Sequence, residues 1–145
     1  MKDSAAHARD RELAYLGAAE LARQFRAREL SPVEVTQAVL RRIERFGPAL
    51  NAFVLVDPEA ALSQARASEQ RHVRQAPLGP LDGVSVSLKD LLLVRGWPTR
   101  CGSKTIEAQA AWLEDSPAAA RLREGGAVLL GKTTTSEFGL KGMGE

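Results

Sequence analysis

Ser85, Ser87 and Lys89 alternate with Val84, Val86 and Leu88 in the run Gly83-Val84-Ser85-Val86-Ser87-Leu88-Lys89-Asp90. Side chains along a strand point alternately to its two faces. A strand here presents Val/Val/Leu to one side and Ser/Ser/Lys to the other, and small hydroxyls leading to one lysine describe the floor of a polar cleft. Such a lysine can act as a base only when neutral. Free lysine has a pKa near ~10.4; burial beside uncharged hydroxyls disfavours the charged form and brings proton transfer within reach at neutral pH. The blander reading is a strand-end lysine that reaches water, as most lysines do. Ser87 shares the face of Lys89 at a Cα separation of roughly 6.5 Å. It is read as a hydroxyl lining the lysine, with a Ser87–Lys89 dyad as the alternative. Asp90 points to the opposite face and is read as an acceptor for backbone at the strand end.

Other reactive patterns are weaker. Gly126-Ala127-Val128-Leu129-Leu130-Gly131-Lys132-Thr133 fits G-x-x-x-x-G-K-[ST] letter for letter. A phosphate-binding loop needs free backbone N–H groups after a strand. Ala-Val-Leu-Leu reads as a strand itself, and the motif follows a helix, so nucleotide binding is not expected. Cys101 has Arg100 beside it, which favours a thiolate, but His7 and His72 both fall in the helical first half. Trp97 and Trp112 are read as packing residues. Thr133-Thr134-Thr135-Ser136 follows a strand end, where α/β proteins place their sites; it either lines the cleft or caps a helix.

The flanks of Lys89 carry a family resemblance. Pro77-Leu78-Gly79-Pro80-Leu81-Asp82-Gly83 precedes the strand, Gly96-Trp97-Pro98-Thr99-Arg100-Cys101-Gly102-Ser103 follows it, and Asp115-Ser116-Pro117 to Gly131-Lys132-Thr133-Thr134-Thr135-Ser136-Glu137-Phe138-Gly139 closes the series. In order and spacing these phrases resemble the amidase signature family, closely from about Pro77 to Glu145 and more loosely back to Leu16. The resemblance implies hydrolysis of a carboxylic amide by a Ser–cis-Ser–Lys triad, with Lys89 as the catalytic lysine, through an acyl-serine and with no cofactor or metal. It also implies that both serines lie in a Gly/Ser-rich segment after the equivalent of Glu145. No run such as G-G-S-S-G-G occurs in the 145 residues. The expectation is therefore a partial domain that has no activity by itself.

These residues must be held by a scaffold, and its elements can be anticipated. Residues 1–12 are polar and expected to fray. Leu13 to Leu30 carries one amphipathic helical pattern. Ser31-Pro32-Val33-Glu34 is a capped helix start, and that helix should bury Val35, Val39, Leu40 and Ile43 and end near Gly47-Pro48. Residues 53–56 read as a strand, and Asp57-Pro58 opens a helix to about Arg74. Turn residues then cluster at Pro77, Gly79 and Pro80, dividing a mainly helical layer (1–76) from the start of an α/β catalytic core (77–145). Leu91-Leu92-Leu93-Val94 is a second apolar run after the lysine. Ser116-Pro117 opens a helix that Gly125-Gly126 closes, and Ala127-Val128-Leu129-Leu130 is a buried strand. The fold class is α/β: the N-terminal part of an amidase-signature fold, an incomplete mixed sheet covered by helices. Leu91–Val94 and Ala127–Leu130 are expected to lack part of their cover, which would favour self-association.

Composition narrows the function. With 20 basic and 18 acidic residues the net charge is +2, and the arginines are scattered along helical patterns. That gives no case for nucleic acid, which needs a clustered basic surface. One cysteine excludes an internal disulfide and a thiol zinc site. Apolar runs stop at four or five residues, against the ~20 that a membrane helix needs, and the N-terminus lacks a signal-peptide core; a cytoplasmic location with no membrane partner is the default. Three readings follow: an amidase acting on a small-molecule amide through Lys89, an inactive remnant or interaction module, and an A-type amidotransferase component that acts on charged transfer RNA. The phrases around Trp97 and Lys132 look more like the general bacterial amidases, which places the transferase third.

Overall fold

The structure, a computed structural model, describes residues 2–106 and 112–142, and the side chains from His7 onward within them. Its elements are α1 (Lys2–Ala14), α2 (Ala18–Ala27), α3 (Pro32–Leu50), β1 (Phe53–Val56), α4 (Pro58–Val73), β2 (Ser85–Lys89), α5 (Pro117–Glu124) and β3 (Val128–Thr133), followed by a 3-10 turn, Glu137–Gly139. The strands form one mixed sheet in the order β1-β3-β2, with β1 antiparallel and β2 parallel to the central β3. The expected α/β class and the strands at 53–56, 84–88 and 127–131 are all present, within a residue or two.

Both faces of the central strand β3 are covered by this chain. Ala61 and Ala65 of α4, with Val33, Val39, Leu40 and Ile43 of α3, close over Val128 and Leu130. Opposite, Leu88 and Leu129 pack with Val94, Trp97 and Ala119. Ala127 through Leu130 are at most 4% exposed, so the expected lack of cover over that run is not seen; in the run Leu91–Val94 only Val94 is buried, and Leu91, Leu92 and Leu93 are half-buried. The cover comes from α5 and from residues 91–97. A third cluster joins α1, α2 and α3 through Leu13, Leu21, Phe25 and Val35.

Three expectations for the helices are corrected. Residues 2–12 are helical, not frayed; Leu13 is buried, and Arg41 of α3 grips the buried Asp10 with two bonds of 2.9 and 2.6 Å. Met1 lies outside the described residues. The pattern from Leu13 to Leu30 is two helices, broken at Tyr15–Gly17, which lets Leu13 and Phe25 reach one core. Helix α3 runs through Pro48 and ends at Asn51, whose left-handed backbone sends its N–H to Gly47 O at 2.8 Å. Proline removes one hydrogen bond of the ladder, and near the last turn that loss is small. Ser31 does cap α3, accepting from Val33 N and Glu34 N at 3.0 and 3.4 Å, and Asp57 caps α4 through Ala60 N at 3.0 Å.

Leu91–Val94 is not a strand. Leu91 N and Leu92 N both donate to Lys89 O, at 2.7 and 3.0 Å, turning the chain sharply after β2. The run is apolar because Leu92 and Val94 pack under the sheet.

Gly131 directly follows the irregularity in the β2–β3 ladder, whereas the β1–β3 ladder shifts at Val54 of β1. Gly131 pairs with Val56 on one side and Ser87 on the other. A Cβ added there would stand 2.1 Å from Leu55 O and 2.9 Å from Val56 Cα, both backbone atoms. Gly131→Ala should therefore push β1 off β3 and destabilise the chain by about 3 kcal/mol. Urea unfolding checks this; a loss below ~1 kcal/mol would mean that the sheet opens without strain.

Candidate active site

The parallel strands β2 and β3 end side by side. Lys89 pairs with Thr133, and Asp90 N donates to Thr133 O at 3.0 Å. Carboxyl ends of parallel strands are where open α/β sheets hold their ligands. The Ser/Ser/Lys face is present as the alternation predicts. Ser85 is half-buried, its Oγ 3.2 Å from Thr36 Oγ1 of α3, while Ser87 and Lys89 are exposed. Burial of Lys89 among hydroxyls is thus not seen among the described residues: α3 covers the strand at Ser85 and does not reach its end. Among the described residues no hydrogen bond joins Ser87 to Lys89, so the structure gives no dyad.

The buried partner of this end is Lys132. Although it belongs to β3, it is fully buried, and its Nζ lies 2.7 Å from Asp90 Oδ1. Nζ also donates to Pro98 O at 2.8 Å and to Thr99 Oγ1. Arg100 N donates to Asp90 Oδ2 at 3.2 Å. Asp90 thus accepts from backbone, as expected, but its main partner is a charge that the sequence pattern paired with nothing. The cause is the register shift just before Gly131. Val86 pairs with Leu129, but Leu88 pairs with Lys132, so one extra residue of β3 turns Lys132 onto the face of Leu88. A signal existed: a lysine inside a buried aliphatic strand requires a carboxylate.

The same geometry removes the phosphate-loop reading. Val128–Thr133 is a strand paired on both edges, with Val128 N bonded to Val84 O at 2.9 Å and Leu129 N to Gln64 Oε1 at 3.0 Å. Its N–H groups are engaged and its lysine is spent on Asp90.

Trp97–Ser103 forms a strap over the strand ends. Trp97 Nε1 donates to Asp57 Oδ2 at 3.1 Å, and Phe138 N to Cys101 O at 2.8 Å. Trp97 is buried in the core as a packing residue, and Trp112 is partly exposed. Cys101 is half-buried and free, and His72 is buried elsewhere, against Phe25 and Asp82 O. The threonines after β3 bond backbone: Thr133 Oγ1 reaches Leu88 O and Thr134 Oγ1 reaches Ala52 O, at 3.5 and 3.4 Å. Ser136 closes a small loop with Lys141 and caps no helix through its side chain. A recess of about 460 Å³ runs along Gly102, Lys104, Thr135, Ser136 and Glu137. The larger groove, about 880 Å³ along α3 and β1, contains none of the candidate catalytic residues. Among the described residues no cluster of His, Cys, Asp and Glu could hold a metal ion, and no helix is long and apolar enough to cross a membrane.

Comparison with known proteins fits this arrangement. A family model described as Amidase matches residues 34–145. The A-type subunit of glutamyl-tRNA(Gln) amidotransferase from Acidothermus cellulolyticus is 45% identical over 125 residues, covering 85% of this chain and 24% of the relative. Its counterpart from Salinispora arenicola is 45% identical over 131 residues, covering 89% and 26%. Among solved structures, a bacterial aryl acylamidase of the amidase signature family superposes with a TM-score of 0.81 at 30% identity, covering 90% of this chain and 27% of that one. Peptide amidase from Stenotrophomonas maltophilia gives 0.78 at 33%, covering 86% and 26%. The chain spans about a quarter of the length of the curated relatives it matches. The stretch from Glu34 onward, the Lys89 strand and its strap included, is amidase sequence in an amidase fold, and the chain belongs to the amidase family.

Proposed function

We propose that the chain is the lysine-bearing part of an enzyme that breaks the C–N bond of a carboxylic amide, with Lys89 as its proton acceptor. The observation that carries this reading is the position of Lys89, exposed at the carboxyl end of β2 beside Thr133, within family sequence. In this reading the sequence that carries the serines also covers Lys89, which accepts a proton from a bridging serine as that serine takes one from a nucleophilic serine. The serine oxygen then bonds to the amide carbon, the C–N bond breaks, and the proton leaves with the amine. Water hydrolyses the acyl-serine. Neither serine has its Gly/Ser-rich context among these 145 residues, so the reading assigns both to sequence beyond Glu145 and expects the chain alone to be inactive. An interaction module without chemistry remains the outcome if that sequence is lacking.

A second reading is favoured by the curated relatives. They are A-type components of an amidotransferase at 45% identity, above the 30–33% of the two hydrolases, so the transferase ranks higher than its phrases alone place it. There the same amide chemistry would serve a charged transfer RNA.

Two chimeras test the pair. This chain replaces the matched quarter of the aryl acylamidase in one and of the Acidothermus cellulolyticus amidotransferase component in the other. Amine release from aryl amides and ammonia release from glutamine are then measured, with and without charged transfer RNA and the remaining amidotransferase components, beside the active parents. We expect amide cleavage in the chimeras and none from the chain alone. Folded chimeras that release neither product would sink the enzyme reading; activity confined to the second chimera and dependent on the RNA would select the transferase.

A further inference from the structure

We propose that Asp90 and Lys132 are positioning residues: a buried clamp that fixes the backbone of Lys89 and ties the strap Trp97–Ser103 across the ends of β2 and β3. This deepens the reading of Lys89 and rests on it. Lys132 has three donors, and they go to Asp90 Oδ1, Pro98 O and Thr99 Oγ1. The other Asp90 oxygen takes Arg100 N, and the Asp90 backbone N–H goes to Thr133 O. Lys89 is thus held between buried Leu88 and an Asp90 anchored by side chain and backbone.

A buried ion pair gives little stability that an apolar pair of the same volume would not. What an apolar pair cannot do is hold Pro98 and Thr99, which accept from Lys132, and Arg100, whose N–H donates to Asp90. The strap needs such bonds. Cys101 and Gly102 are both left-handed, at φ +54° and +65°, and a Cβ on Gly102 would lie 2.5 Å from Thr135 O. Its path is pressed against the segment that continues β3.

Cys101 is the sole cysteine of the chain and lies in the strap, so the rate of thiol labelling reads strap opening directly. Amide exchange at Asp90 and Leu91 reads the Lys89 arm. The informative variant is Asp90→Asn/Lys132→Met, which removes both charges and keeps the volumes, compared with Lys132→Met and Lys89→Ala. Lys132→Met leaves Asp90 buried without its partner and should lower Tm. In the double variant Tm should return toward wild type while Cys101 labelling and exchange at Asp90 stay faster on the order of tenfold. Recovery of wild-type labelling together with Tm would reduce the pair to a packing device and overturn the proposal. Loss of cooperative unfolding in the double variant would overturn it too, because the pair would then hold the whole fold. Lys89→Ala should leave labelling unchanged. If Lys89→Ala keeps full activity in a chimera, the reading of Lys89 fails by itself, and the clamp is still decided by labelling.

Discussion

Lys89→Ala in the aryl acylamidase chimera should lower kcat by at least about 1000-fold and change KM by no more than about threefold, the pattern of an interaction made only in the transition state. Removing a proton acceptor that activates a nucleophile leaves only substrate binding and the oxyanion donors to accelerate the reaction. The fold should not suffer. Lys89 is exposed and ends its strand, so the stability of the isolated chain in urea should change by less than ~0.5 kcal/mol. Lys89→Arg should be as inactive as the alanine variant, because a guanidinium does not release its proton in a protein. Ser87→Ala should keep activity within about tenfold, since Ser87 only borders the lysine. Steady-state kinetics of the three variants decide the roles. A Ser87→Ala loss as large as that of Lys89→Ala would bring back the dyad, and an active Lys89→Ala enzyme would end the assignment.

Much of this site could be read from local sequence because local rules built it. Period-two alternation placed Ser85, Ser87 and Lys89 on one face of β2. Ser31-Pro32 and Asp57-Pro58 set the starts of α3 and α4 through caps that need no tertiary partner. Gly125-Gly126 ended α5, and Ala127–Leu130 became a strand covered on both faces. The phosphate-loop pattern failed for the anticipated reason, since aliphatic residues within it made β3.

What stayed hidden depends on contacts distant in sequence. Residues 2–12 have no apolar stripe that would announce a helix; Asp10 and Leu13 hold them against α3. Leu91–Val94 is strand-like in composition, but two N–H groups turn back to Lys89 O, and the run packs beneath the sheet without joining it. Lys132 is the clearest case. Strict alternation would put it on the face of Val128 and Leu130, toward α3 and α4. One irregular pairing just before Gly131 puts it with Leu88 and opposite Asp90. A bulge inverts every side chain after it, and a single glycine in a strand does not say on which side of it the inversion falls.

Asp82→Ala should cost about 3–5 kcal/mol, the loss expected when one partner of a buried pair is removed. That is a large part of the about 5–15 kcal/mol that holds a typical domain. Asp82 lies in the turn that delivers β2, and its carboxylate is fully buried. Arg71 of α4 grips it with two bonds of 2.8 and 2.7 Å, and Leu78 N donates to it at 2.7 Å. Truncation leaves a guanidinium and a backbone N–H without their acceptor and frees the turn from α4. Asp82→Asn keeps the shape and loses the charge, so it isolates the electrostatic part. Burial pushes the Asp82 pKa up, but the Arg71 bonds, the nearby Ser68 hydroxyl, the Leu78 N–H and the Arg71 charge together outweigh it and hold the pKa below its ordinary 3.8. A carboxyl depressed in the folded state contributes stability that is fully present above its unfolded pKa and is lost as pH falls through the folded one. Wild type should therefore lose stability below pH 3.8, and the gap between wild type and Asp82→Asn should be widest near neutrality and shrink in acid. Urea midpoints of both proteins from neutral pH down through that window test this. Asp10, also depressed by its Arg41 bond, acts equally in both proteins and cancels from the difference. A gap that stays constant with pH would show that the Arg71 pair carries no charge-dependent stability and that Asp82 acts through shape alone.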